Sequence, residues 1–180
     1  MAQFIRAVVN PEDFRRIMSA LGRLETVARR EEDRHAMNCA NDYKDLAINN
    51  LLTQKFSSGY APYHPRYAEW KTQRMMMGSM FWRLYGDLIN NVTVFKSGKG
   101  WVGGVPANAT DSGGKSWHSS PGRLKGRPKR IAWYGRINEL GLGNHPARPV
   151  FEPTRLEYAA SDRYRQRGQE SLHNLRQQWR

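Results

Sequence analysis

The sequence predicts an α+β domain: N-terminal helices and a C-terminal helix packed on a small, mostly antiparallel sheet, with a long basic loop set into the chain. Three observations predict it. Apolar residues recur at helical spacing near both ends, two short β-branched runs meet at a glycine-rich turn in the middle, and residues 106–130 carry no apolar period at all. A length of 180 residues suits a single domain over 1–180 that buries a core. With 39% hydrophobic residues and a mean hydropathy of -0.78, that core is modest and part of the chain sits outside it.

Taken in order, Phe4 to Val9 is apolar and β-branched enough for a short strand. Asn10 then offers an N-cap, Pro11 suits the first helical position, and Glu12 and Asp13 favour the positive helix end. Phe14, Ile17, Met18, Leu21 and Leu24 mark one apolar face, and Met37, Ala40, Tyr43, Ala47 and Leu51 resume it after the polar stretch Arg29 to His35. This predicts either one long helix with a solvent-crossing middle or two helices meeting near Arg34. The segment Phe56-Ser-Ser-Gly59, with Pro62 and Pro65 beyond, stops it. Asn91 to Phe95 and Gly100 to Val105 read as two strands joined by Lys96 to Gly100, with Trp101 facing Val92 and Val94. After Ile131–Phe151 comes a final helical segment from Pro153, with Leu156, Ala159, Ala160, Tyr164, Leu172, Leu175 and Trp179 on its apolar face and Gly168 as a weak point.

Charge is unevenly spread. The net charge is +13 and the pI about 10.3. Residues 1–60 hold 9 Lys/Arg against 8 Asp/Glu, so residues 61–180 carry 20 against 8, a balance of +12. The densest run is Arg123, Lys125, Arg127, Lys129 and Arg130, flanked by Trp117 and Trp133. A local excess of this kind implies a polyanionic neighbour, either DNA or an acidic protein surface. The run lies in the flexible insertion 106–130, whose 25 residues reach on the order of 80 Å if extended. That exceeds what a connection between two elements requires, and Trp117 within it favours docking.

Candidate chemistry is sparse. Gly98, Gly100 and Gly103 match GxGxxG, but Gly104-Val-Pro106 follows, and a dinucleotide site needs a helix there to hold the pyrophosphate on its amides; a hairpin turn is the better account. The histidines at 35, 64, 118, 145 and 173 form no ligand-spaced pair, and no metal or cofactor is expected. Glu31, Glu32 and Asp33, then Asp42 and Asp45, lie among Arg29, Arg30, Arg34 and Lys44, where salt-bridged helix faces are the economical reading. Met75-Met-Met77 with Met80, Phe81 and Trp82 is a soft apolar cluster suited to core filling or a subunit contact. Cys39 is alone, which excludes an intrachain disulfide and fits a reducing cytoplasm. The opening residues have too short an apolar run for a signal peptide, and no window suits a membrane span.

The most informative stretch is Ile131 to Phe151, IAWYGRINELGLGNHPARPVF: a short aromatic helix, a glycine-broken turn and a Pro-Ala-Arg-Pro clamp into an extended segment. Its order of elements resembles the signature of tailed-phage neck and tail-completion proteins, in which a "YA-x-x-x-E-x-G" helix precedes a "P-A-R-P-F" turn. The matching residues are Tyr134, Glu139, Gly141, Pro146, Ala147, Arg148, Pro149 and Phe151. An "L-x-x-T-G-x-L-x-x-S-I" element of the family is approximated by Leu84, Gly86, Leu88 and Ile89, with Tyr85 in place of Thr and Asn91 near the usual Ser. The resemblance implies a non-enzymatic structural virion protein, assembled in the host cytoplasm. It implies a homo-oligomeric ring (commonly a hexamer) that joins head and tail by touching adjacent neck, connector or tail proteins, with possible contact to packaged DNA and no membrane. The alternative is a stand-alone basic nucleic-acid-binding protein. In the head–tail reading Arg148 braces the turn through backbone carbonyls or a neighbour's carboxylate.

Overall fold

A computed structural model describes residues 10–75, 87–98, 100–109, 131–142 and 146–179. The expected strand at Phe4 to Val9, the apolar residues Met76, Met77, Met80, Phe81 and Trp82, and Leu84 to Gly86 lie outside the described residues.

One helix organises the fold. α1 runs unbroken over Pro11–Thr53, 43 residues, so the polar stretch near Arg34 does not split it; Arg29, Arg30, Glu32, Asp33 and Arg34 are exposed there, and Glu31 is buried. Its start follows local chemistry: the Asn10 side chain accepts from the Glu12 amide at 2.9 Å, Pro11 needs no amide partner at the first position, and Glu12 and Asp13 face the positive end. Within the polar stretch Glu31 and Asp33 have partners beyond α1. Glu31 is buried and accepts from Arg34 one turn on and from Gln178 at 3.1 Å. Asp33 accepts from the Trp101 indole at 2.9 Å and from Lys96 at 3.2 Å. α1 ends with Gln54 in the left-handed region, followed by a short 3-10 turn at Ser57–Gly59.

The sheet is a two-stranded antiparallel hairpin, β1 (Thr93–Ser97) and β2 (Gly100–Gly104). β1 begins two residues later and runs two further than the alternation suggested, because Gly98 at φ +60 permits a turn of only two residues between Ser97 and Gly100. Val94, Lys96, Trp101 and Gly103 share the face that meets α1, as the register Lys96↔Trp101 and Val94↔Gly103 requires. Gly103 makes that approach possible. A Cβ there would lie 2.6 Å from the Ala40 carbonyl oxygen and 2.8 Å from the Tyr43 ring. The third glycine of the GxGxxG pattern therefore serves strand-on-helix packing, inside a hairpin.

α2 (Pro65–Met75) starts on Pro65, and the four-residue α3 (Asp87–Asn90) leads into β1. α4 covers Ile131–Leu140, the aromatic helix expected there. The final helical segment is two helices, α5 (Phe151–Ala160) and α6 (Asp162–Trp179). The break falls at Ser161, not at Gly168, which sits inside α6. Ser161 is extended, and its hydroxyl accepts from the Tyr164 amide at 3.2 Å, capping the new helix. Both α5 and α6 pack on α1, with the hairpin on α1 as well, so α1 and not the sheet is the hub.

The core joins segments far apart in sequence: Leu51 of α1, Leu88 of α3, Val92 before β1, Ile131 of α4 and Val150 before α5. Beside it runs a polar seam. Buried Asn50 donates to Thr154 at 3.0 Å and to Glu157 at 3.2 Å, fixing α5 against α1. Asp42 accepts from Arg167 at 2.6 and 3.0 Å and from Arg163 at 3.2 Å, fixing α6. These Arg167 bonds hold the Asp42 carboxyl below its usual range. Sequence alone placed the acids of α1 among local arginines and lysines; Asp33 and Asp42 instead find partners across the fold.

Candidate docking surface

The residues singled out between Tyr134 and Phe151 come together as one polar knot at the junction of α4 and α5. It begins with a helix end. Gly141 adopts φ +67 as α4 closes, and its amide donates to Ile137 O at 2.9 Å. A Cβ on Gly141 would stand 2.6 Å from the Ala147 amide nitrogen, so the returning chain passes where only glycine leaves room. That return is fixed by the Arg148 amide, which donates to Asn138 O at 2.7 Å.

Glu139 is the centre of the knot. Its Oε2 accepts from the amides of Val150 (2.8 Å) and Phe151 (3.1 Å), and its Oε1 accepts from the Glu152 amide (2.8 Å). The next residue, Pro153, has no amide proton. The Thr154 amide makes the first intrahelical bond, to Val150 O at 3.0 Å. One carboxylate from α4 thus satisfies the free amides that open α5, and its charge sits at the positive end of that helix. This also explains why α5 begins at Phe151, two residues before the proline that suggested its start.

Arg148 is buried at 3% exposure. Its guanidinium donates to Ala61 O at 3.1 Å and stacks 4.5 Å from the Tyr63 ring centroid. Tyr60 donates to Pro149 O at 2.6 Å, and Tyr43 donates to Phe151 O at 3.0 Å. Burial pushes the Tyr43 phenol well above its usual range, which keeps it a donor. Within this chain Arg148 makes the backbone-carbonyl brace. Pro146 and Ala147 are exposed, while the Tyr134 side chain lies outside the described residues. Tyr43, Tyr60 and Tyr63 were not among the sequence candidates. The one available signal was the pair of tyrosines spaced by three around Pro62, in a segment that otherwise reads only as a helix stop.

Beside the knot, a groove of about 300 Å³ opens between β2 and α4, lined by Tyr43, Gly103, Gly135, Arg136, Leu140 and Phe151 among others. Trp133 and Leu140 stand exposed on α4 with Arg136, and Val102 of β2 is exposed as well. The chain enters and leaves the basic segment at this edge: the Ile131 amide donates to Ala109 O at 2.9 Å. The described residues on either side of 110–130 are therefore one hydrogen bond apart. Trp117, Arg123, Lys125, Arg127, Lys129 and Arg130 lie outside the described residues.

Among the described residues no group of three or more His, Cys, Asp or Glu side chains could hold a metal ion, and no helix is long and apolar enough to cross a membrane. No protein-family model matches the chain, and no curated protein and no solved structure matches it either.

Proposed function

We propose that this chain is a structural virion protein of the neck or tail-completion ring of a tailed phage, joining head to tail through protein contacts and performing no chemical step. The observation that carries the reading is the knot between α4 and α5. Glu139 and Arg148, the two charged residues of the motif, both turn inward onto backbone groups. They hold one geometry, and they leave Trp133, Arg136 and Leu140 facing outward on a braced helix. A fixed apolar face with a cation beside it suits docking onto another protein surface. The segment 110–130, tethered at both ends by the Ala109–Ile131 bond, supplies the basic arm. In this reading the arm orders against an adjacent ring and exchanges its freedom for interface.

The test is reconstitution. Heads and tails from a phage lacking this gene are mixed with the purified chain, and joined particles are counted by electron microscopy and plaque yield. Intact protein is expected to restore joining. A chain with 111–129 replaced by a short Gly/Ser link is expected to keep its fold and lose joining; normal yield with that variant would remove the arm from the proposal.

The charge balance of +12 over residues 61–180 favours one second reading, direct binding of nucleic acid by the basic arm. Counterion release then predicts a steep loss of affinity with salt for the purified chain on duplex DNA. Tight, salt-sensitive binding without any effect of the arm on head–tail joining would select that reading.

A further inference from the structure

We infer that the outer half of α1 is a self-association surface, on which two copies of this chain pair antiparallel along Phe14, Ile17, Leu21 and Leu24. This concerns the free protein and does not rest on the head–tail reading.

Phe14, Ile17, Met18 and Leu21 form a continuous stripe, yet each is 51–56% exposed. Together they present on the order of 400 Å² of apolar surface, in the size range of patches that are functional on soluble proteins. The stripe is the continuation of a helix seam already in use. At heptad spacing, Phe14 and Leu21 lead to His35 and Asp42, and Ile17 and Leu24 lead to Glu31, on the side of α1 that α6 covers. α6 runs antiparallel to α1 and ends at Trp179, with Gln178 against Glu31. Beyond that end α1 projects with its seam open, and what fits an open seam is another antiparallel helix.

Charge selects a second copy, and its direction. The acids bordering the stripe are Asp13 and Glu25; Arg15 and Arg30 make no ion pair among the described residues. An antiparallel pair centred near Ala20 and Leu21 brings Asp13 within about two residues of the level of Arg30 of the other copy, and Glu25 within about one of its Arg15, on matching flanks. A parallel pair would instead align the two helix dipoles. Counting Leu24, Val27 and Ala28 with the stripe, the pair buries about 1,000 Å² in total, the lower bound for a specific interface. The contact is two-fold and closes on itself, so it yields a dimer and not a filament.

Sedimentation equilibrium of the full chain across the micromolar range reads it directly. The expected species has twice the 20.8 kDa chain mass. Ile17→Lys with Leu21→Lys is expected to weaken association about a hundredfold or more, with unchanged far-ultraviolet circular dichroism. Glu25→Arg and Arg15→Glu are each expected to weaken it, and their combination to recover it. A monomer throughout the range, a stoichiometry other than two, or a dimer indifferent to the lysine substitutions would overturn the proposal. Failure of the combined charge exchange to recover association would overturn the antiparallel direction.

Discussion

The two halves of α1 carry the same kind of pattern and meet opposite fates. From Pro11 to Arg30 the apolar residues recur at three and four, yet Phe14, Ile17, Met18 and Leu21 stand in solvent. From Glu31 to Thr53 the pattern is less apolar, yet Ala40, Ala47 and Leu51 are buried, and so are the polar Glu31 and Asn50. What differs is the supply of partners. In the inner half Asp33, Asp42 and Asn50 each reach a group in another element, and Ala40 is small enough for β2 to lie against it. Among the described residues the outer half has ion pairs only within itself, Arg16–Asp13 and Arg29–Glu25. Periodicity states that a face exists; what covers it is decided by residues a hundred positions away.

The largest effect that tests this contrast is a matched truncation. Leu51→Ala empties a fully buried site and is expected to cost about 2–5 kcal/mol of unfolding free energy. Leu21→Ala removes the same atoms from an exposed site, and in dilute protein the expected change is within about 0.5 kcal/mol. Urea unfolding followed by circular dichroism compares the two. Equal costs would mean that the outer half is covered within the monomer, and the contrast would fall.

Next in size is Glu139. Replacement by Ala strands the three amides of Val150, Phe151 and Glu152 at the start of α5, at an expected cost of about 2–3 kcal/mol. Glu139→Gln keeps one acceptor oxygen and is expected to lose about half as much. A cost below that of an exposed substitution would show that α5 does not depend on α4 for its start. Gly103→Ala then probes the closest approach in the inner half: a methyl group 2.6 Å from the Ala40 carbonyl must push strand and helix apart, for about 1–3 kcal/mol. Gly22 lies in the outer half with open space around it, so Gly22→Ala is expected to stabilise by about 0.5–1 kcal/mol through helix propensity. Opposite signs from the same chemical change would sharpen the comparison; matching signs would blur it.

Much of this architecture is legible in the sequence where the cause is local. Asn10 and Pro11 announce the start of α1, the alternation around Val94 and the Gly98 turn announce the hairpin, and Gly141 announces the end of α4. The stop at Ser161 is legible in principle, since serine before Asp162 is a capping signal, but Pro153 and Gly168 are the stronger punctuation. The polar seam was not legible. Nothing in the spacing of Asp42 points to Arg167, or of Asn50 to Thr154, because those contacts exist only once α5 and α6 lie along α1. The same holds for the knot: sequence marked Glu139 and Arg148, while the groups they bind, the amides of α5 and Ala61 O, are backbone groups without a sequence signature.

The smallest effect is the pH response of the α1–α6 contact. Asp42 is only 15% exposed, and the bonds from Arg167, then Arg163, lower its pKa in the folded chain below the ordinary 3.8. A depressed folded value means that the unfolded chain takes up the proton first as pH falls. The stabilisation is therefore fully present above pH 3.8 and is lost progressively below it, toward the folded value. Asp33, lowered by Trp101 and Lys96, responds in the same direction but is solvent-screened and contributes less. Urea midpoints at pH 6 and pH 3 are expected to differ for the intact chain. Asp42→Asn is expected to lower the midpoint at pH 6 by the equivalent of about 1 kcal/mol and to shrink that difference. Because the ion pair of Glu25 with Arg29 in the outer half of α1 is exposed, removing Glu25 should leave the pH difference nearly intact. If Glu25→Gln shrank it as much as Asp42→Asn did, the two halves of the helix would not differ in how they are held.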